Sequence, residues 1–315
     1  MAGDEHGVTA ERPTDIPARG WRDVLMRTKD RIKAERVGLM AAGVAFYSLL
    51  AIFPALIAAV TVWGLVADPG QIEETIAGFA GALPQGADEL LIDQVGRIAD
   101  APTGGLSLAL AISLIAALWS ASTGIKGLMN GLNAVYEEPE ERGFLKERGL
   151  AIALTLGAIL LGLVAIGLIA VLPAVVGALG LPEQTQTVAL WIRWPVLALF
   201  IVLALAIVYR HGPDRSEPKW RWVSWGAGIA TAIWLIASAG FAWYVNVFGA
   251  EGYAETYGSM AGVIVLMLWL FLSAFAALVG ACIDAELELQ TAKDTTEGEP
   301  QPMGERGARV ADRRP

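Results

Sequence analysis

The sequence predicts an all-α membrane bundle of six transmembrane helices, a polytopic fold with both termini on the inner, cytoplasmic side. Three observations predict it. Long apolar stretches run over roughly 40–66, 105–128, 149–172, 188–209, 223–247 and 260–283. Hydrophobic residues make up 55% of the 315-residue chain and charged residues 17%, with a mean hydropathy of +0.52, a balance too apolar for an ordinary soluble domain. Of the 23 Lys and Arg, all but Arg97 and Arg193 fall in every second gap between these stretches, in the two ends of the chain, or at Lys126. About 20 apolar residues rising about 1.5 Å each cross a hydrocarbon core of about 30 Å. Lipid offers backbone N–H and C=O groups no partner, so each stretch must close its own hydrogen bonds as a helix. The positive gaps mark the inner, cytoplasmic side of the membrane.

Each element follows from its residues. Residues 1–20 are polar, with Gly, Pro and mixed charge, and predict a disordered tail. Residues 21–36 predict an amphipathic helix, with Trp21, Leu25, Thr28 and Ile32 on one face against Arg22, Arg27, Lys29, Arg31, Lys33 and Arg36. Such a helix suits an anionic membrane surface. Pro54 interrupts the first span and deletes one backbone bond, which makes it a candidate hinge. The longest outer loop, 68–103, holds Asp68, Glu73, Glu74, Asp88, Glu89, Asp93 and Asp100. Its apolar residues recur at helical spacing on either side of Pro84-Gln85-Gly86, so two short helices over the outer mouth are expected. The third span is nearly pure Leu, Ile, Ala, Val and Gly and should face lipid. Trp191, Trp194, Trp220, Trp222 and Trp225 open the next two spans and, with Trp63, Trp243 and Tyr244, predict interfacial belts. Trp119, Trp234 and Trp269 fall mid-span and should pack within the bundle. Tyr257-Gly258-Ser259 is the expected turn into the last span, and residues 289–315 predict a second disordered tail.

The second span carries the most suggestive constellation. Ser122, Lys126, Asn130, Asn133 and Glu137 follow spacings of 4, 4, 3 and 4, which places them in one stripe on the inner half of a helix. Polar groups at that depth are costly unless they meet protein or water. They can line an inward-facing cavity with Lys126 on an anionic head group; equally, Lys126 can reach to the interface while the asparagines join helices. Gly127 and Gly131 would permit close packing beside the stripe. The last span offers a matching face of Ser273, Ala277, Gly280 and Asp284, and a Lys126–Asp284 pair across the bundle is an expectation. The alternative is that Asp284, Glu286 and Glu288 mark the inner end of that helix. Gly226 and Gly228, in the fifth span, are candidate packing or hinge positions.

Other function classes lack their signatures. A net charge of −9 with an acidic outer loop argues against nucleic acid as a partner. The single cysteine, Cys282, excludes an intramolecular disulfide and a cysteine-based zinc site, and His6 and His211 make no metal-ligand spacing. No nucleophile-elbow, phosphate-loop or dinucleotide motif is present, so neither an enzyme nor a bound cofactor is expected. The expected partners are membrane lipids, through anionic head groups at the cytoplasmic face. No feature specifies an oligomeric state.

Four stretches in order carry a resemblance: AAGVAFYSLLAIFP, LWSASTGIKGLMNGLNAVYEEPEERGF, YRHGPDRSEPKWRWVSWGAGIATAIW and YGSMAGVIVLMLWLFLSAFAALVGACIDAELE. Over roughly residues 35–290 the chain resembles the YihY/BrkB family of bacterial inner-membrane proteins. The family pattern places Glu after the Gly-Ala of the last stretch. Here Cys282 follows Gly280-Ala281, so that carboxylate's role is not carried over, and Asp284 and Glu286 are the candidates to replace it. The resemblance implies six transmembrane helices. Members have been labelled virulence or serum-resistance factors, and some ribonuclease BN, a tRNA-processing label that this sequence argues against. A transporter or flippase-like protein for an amphiphilic envelope component is the leading expectation. A non-transporting scaffold for envelope integrity is the alternative.

Overall fold

Runs of Ala, Leu, Ile, Val and Gly that no charge interrupts satisfy their backbone only as helices, and helices are what form. The structure is a computed structural model that describes residues 4–64, 108–179, 182–249 and 261–314. The expected short helices within 68–103 and the turn at 257–259 lie outside the described residues. Helix α1 spans Ala18–Ala34, α2 Val37–Gly64, α3 Leu108–Val135 and α4 Phe144–Ile166. A π turn at Gly167–Val171 leads from α4 into α5, Leu172–Ala178. Then come α6, Glu183–His211; α7, Trp220–Tyr244, extended by a π turn at Val245–Gly249; and α8, Ala261–Gln290. Among the described residues there is no β-strand, only an isolated bridge between Pro218 and Thr296.

Five of these segments, Val37–Thr61, Phe144–Ile169, Gln184–His211, Trp220–Val247 and Ala261–Gln290, are long and apolar enough to cross a membrane. Helix α3 is also 28 residues long, but its second half carries the polar stripe. Helix α2 runs through Pro54 without a break, so the backbone bond that proline deletes does not divide it.

Helix α8 is the central post, packed against α7, α2, α3 and α1. From Ala274 to Gln290 almost every residue is buried. Small side chains make this possible, because Ala274, Ala277, Gly280, Ala281 and Ala285 let neighbouring backbones approach. Helices α2 and α3 close in the same way: a Cβ on Gly124 would lie 3.3 Å from Ser48 Cα. By contrast α4, α6 and α7 leave Leu160, Val164, Leu199, Leu203 and Ile236 exposed, as suits helices with lipid on one side.

Several expectations need correction. Composition predicts disorder for 1–20 and 289–315, yet residues 4–17 and 291–314 pack together at the charged end of the bundle. Ala292 N–H donates to Val8 C=O at 2.7 Å, and Ala10, Ile16 and Val310 join the main core. Arg306 donates to the carbonyls of Ala292, Lys293 and Ala311. Order here comes from side chains bonded to carbonyls, which hydropathy does not register. Helices α3, α4 and α8 also extend past their apolar stretches, to Val135, from Phe144 and to Gln290, because the charges there are paired. On α1 the buried residues are Gly20, Val24 and Thr28, while Leu25 is 55% exposed. Trp234 and Trp269 do pack together, ring centroids 6.1 Å apart, but Trp119 is 43% exposed beside Phe144.

Candidate functional site at the charged end of the bundle

Asp284, Glu286 and Glu288 alternate along α8, and at about 100° per residue the middle one points away from the other two. Each side meets different partners. Glu286 accepts hydrogen bonds from Arg27 Nε at 2.7 Å and Arg31 Nε at 2.5 Å. Arg31 also donates to Val135 C=O at 2.8 Å and lies 3.2 Å from Glu137, so one guanidinium ties α1, α3 and α8 together. On the opposite side Glu288 meets Arg215 at 2.6 Å, with both side chains fully buried, and accepts from the Thr295 hydroxyl at 3.0 Å. The Arg215 guanidinium lies 4.3 Å over the Tyr136 ring. Burial opposes its charge, but Glu288 and Tyr136 hold its pKa above the ordinary arginine value. Burial also pushes the Tyr136 phenol well up.

Asp284 is held by backbone. Gly226 N–H donates to Oδ1 at 2.7 Å, and Oδ2 has no partner among the described residues. A Cβ on Gly226 would strike that carboxyl group, so only glycine admits it. One turn away, Tyr209 OH donates to Ala277 C=O at 2.5 Å, and a Cβ on Gly280 would lie 2.6 Å from the same hydroxyl oxygen.

The stripe on α3 does not converge on one cavity. Ser122 donates back to Trp119 C=O at 2.8 Å. Lys126 lies 3.0 Å from Glu147 of α4, and the expected pair with Asp284 does not form. The reason is orientation: the Gly226 amide turns Asp284 toward α7, while Lys126 leaves α3 on the α4 side. Asn130 is exposed. Asn133 accepts from Asp214 N–H at 2.8 Å and donates to Glu140 at 2.9 Å, fastening the two loops on either side. Ser273 accepts from the Trp234 indole at 2.9 Å and donates to Trp269 C=O at 2.8 Å, which makes it a clasp for the tryptophan pair. A Cβ on Gly127 would lie 3.5 Å from Tyr47, and one on Gly131 3.0 Å from Leu278, whereas Gly228 has nothing within 4 Å and is not a packing position. Among the described residues no group of three or more His, Cys, Asp and Glu could hold a metal ion.

With this geometry in view, a family model described as Virulence factor BrkB matches residues 28–304. The chain belongs to the BrkB family. YfkH of Bacillus subtilis, whose name describes it as ribonuclease-like, is 32% identical over 252 residues, covering 78% of this chain and 88% of its own. A UPF0761 membrane protein of Verminephrobacter eiseniae is 25% identical over 87% of this chain, and one from Neisseria meningitidis serogroup B 27% over 82%. This chain spans 64% and 61% of those two relatives' lengths. No solved structure matches it.

Two cavities flank the hub of this BrkB bundle. One, of about 360 Å³, is a groove between α2, α3 and α4, where only Ser48 and Thr155 are polar among the lining residues. The other, of about 580 Å³, is polar and lies where the α3–α4 loop, the α6–α7 loop and the C-terminal segment meet. Sequence reasoning missed Arg215, Tyr136 and Tyr209, and placed Arg27 and Arg31 on the basic face of a helix at the membrane surface, whereas both turn to Glu286. A usable signal was present: Glu288 is flanked by Leu287 and Leu289 near the end of an apolar helix, and a glutamate buried there demands a cation from elsewhere, which Arg215 supplies.

Proposed function

We propose that this chain is a six-spanning inner-membrane protein with both termini cytoplasmic, and that it binds and moves an amphiphilic envelope component in a flippase-like manner. The reading is non-enzymatic. The observation that carries it is the groove between α2, α3 and α4, an apolar slot of acyl-chain character along three helices. Lys126 and Glu147 bridge α3 and α4 nearer the charged end, and exposed Asn130 lies one turn beyond Lys126. Lys126 and Asn130 would meet the head group there, with Glu147 giving up its partner on binding. Helix α1 would lie at the cytoplasmic interface, its exposed Leu25 and Met26 in the head-group region between Arg22 and Lys29.

The test is transport of a fluorescent phospholipid in reconstituted vesicles. Gly162→Leu fills the groove at a position where a Cβ meets nothing within 4 Å, so it should stop movement without unfolding the protein. Lys126→Ala with Asn130→Ala should weaken it several-fold. Unchanged transport in both variants would sink the reading. A second reading, a non-transporting scaffold, is favoured by the ion pairs that tie α1, α3 and α8 together and by the packed termini. It requires that Gly162→Leu complement a deletion strain as well as the wild type does. The ribonuclease-like wording attached to YfkH would apply here only if pure protein cleaved tRNA and a site variant did not.

A further inference from the structure

Three acids sit near the inner end of α8, and only two of them have a cation. Glu286 has Arg27 and Arg31, and Glu288 has Arg215. Asp284 has no ion pair among the described residues, although it is wholly buried. Its Oδ1 accepts from Gly226 N–H at 2.7 Å, and its Oδ2 has no partner among the described residues.

The surroundings of that carboxyl group offer no replacement. The charged groups that act on it are Glu288, one turn along α8, and Arg215. Those two lie 2.6 Å apart with both side chains fully buried, so the one nearby cation is already neutralised. The Tyr209 phenol of α6 and the Tyr136 phenol just past α3 also face it, and neither carries a positive charge. Helix α7 contributes the Gly226 amide, its one charged residue, Arg221, being exposed. Arg27 and Arg31 of α1 are turned to Glu286, Lys126 of α3 to Glu147, and α2 carries no charged residue. A carboxylate at this place is a buried charge with nothing opposite it, which is costly, whereas the protonated acid carries no charge at all.

Packing closes the place to water. A Cβ on Gly226 would strike the carboxyl group, and one on Gly280 would lie 2.7 Å from Gly226 C=O, so α7 and α8 meet backbone to backbone here. Water reaches Asp284 on this side only if the two helices part. Beside it, Tyr136 Oη and Arg215 Nε and Nη1 are buried without a partner among the described residues, and so keep unused hydrogen-bonding capacity.

We infer that Asp284 is a proton-binding site, with the proton on Oδ2 while α7 and α8 are in contact. Release breaks the O–H bond, hands the proton to water and leaves both electrons on the carboxylate. The carboxylate then favours the parted, hydrated arrangement, so proton occupancy and the helix crossing are linked. Ionisable groups set among membrane helices serve proton relays in this way. For the lipid movement proposed above, and resting on that reading, the coupling ion is H+.

Infrared spectroscopy of the purified full-length chain in an ester-free detergent tests the site. At neutral pH the wild type should show the carbonyl stretch of a protonated carboxyl group. Isotope-labelled aspartate should shift that band, which assigns it without any variant, and Asp284→Asn should remove it. Coupling is read in vesicles of phosphatidylcholine and phosphatidylglycerol, as the distribution of a fluorescent phospholipid between leaflets under an imposed proton gradient. One proton moving down about one pH unit is worth about a factor of ten. The wild-type distribution should therefore skew by up to about tenfold, return to even with a protonophore, and stay even in Asp284→Asn. Absence of the band, a band that isotope-labelled aspartate leaves in place, or a band that survives in Asp284→Asn overturns the proton site. A skew that survives in Asp284→Asn, or wild-type movement indifferent to the gradient, overturns the coupling. If no phospholipid moves in the wild type, the transport reading fails and the infrared band still decides the site.

Discussion

Gly280→Ala adds one methyl group to the crossing of α7 and α8, and the structure says where it goes. The new Cβ would sit 2.5 Å from Ala230 Cβ, 2.6 Å from Tyr209 Oη and 2.7 Å from Gly226 C=O. Carbon atoms rest at about 3.5–4.0 Å, so the helices must part by about an ångström or Tyr209 must leave its bond to Ala277. Overpacking of this kind costs about 1–3 kcal/mol, and loss of a neutral buried hydrogen bond about 1 kcal/mol more. The sum, about 2–4 kcal/mol, is a large share of the ~5–15 kcal/mol typical of a folded domain. Gly228→Ala is the internal control: it lies on α7, one of the two crossing helices, and has nothing within 4 Å. There alanine should be neutral or stabilising by up to about 1 kcal/mol, because glycine is the poorer helix former. Equilibrium unfolding in bicelles measures both, and Tyr209→Phe in the Gly280→Ala background should recover part of the loss. Two glycine variants within about 0.5 kcal/mol of each other would refute the claim that this crossing depends on backbone contact.

Two further outcomes follow from the hub and its loops. Arg31→Ala leaves Glu286 buried with half its cation and strips Val135 C=O of its donor, so α1 should loosen by about 3–5 kcal/mol. Trypsin cleavage within 18–36 should then accelerate far more than in a control such as Lys29→Ala, which removes a cation outside the clamp, and equal rates would count against the clamp. In the α3–α4 loop, hydrogen bonding to Arg142 is the main cause that holds the Glu140 carboxyl below its ordinary value, against burial, with Asn133 assisting. A depressed folded value means stabilisation that is present above the ordinary glutamate pKa and lost as pH falls through the folded one. Burial acts oppositely on Glu138, raising its pKa, so the diagnostic is the difference between wild type and Arg142→Gln. The melting temperature of the wild type should fall more steeply on acidification than that of the variant, and parallel curves would exclude the Glu140–Arg142 linkage.

Much of the architecture could be read residue by residue. Apolar length located α2, α3, α4, α6, α7 and α8, because lipid leaves the backbone no alternative to a helix. The periodicity of α1 was also visible, but its rotation was not: Arg27 and Arg31 turn inward only because Glu286 waits on α8, more than 250 residues away in the chain. Ser122, Lys126, Asn130 and Asn133 of the expected stripe lie within one helix, whereas Glu137 falls beyond its end at φ +59. The stripe's destinations were invisible, since Lys126 goes to α4, Asn133 to a loop and Ser122 to its own backbone. The ordered ends of the chain escaped notice for a related reason. Their anchors are hydrogen bonds from Arg306, Thr291 and Gln290 to carbonyls, and composition carries no record of such bonds.

By itself, then, the sequence determined what the solvent dictates: a helical chain with apolar segments of membrane length and its cations, Lys126 and Arg193 excepted, gathered outside them. Local chemistry is enough for that, because each segment answers to lipid or water alone. Tertiary structure alone decided how those charges are spent. The three acids of α8 are separated by about 200° at each step, so one helix hands Glu286 to α1 and Asp284 and Glu288 to α7 and the α6–α7 loop. Which cation reaches which acid depends on where small residues let helices touch, and Gly226 and Gly280 acquire that meaning only beside Asp284 and Tyr209.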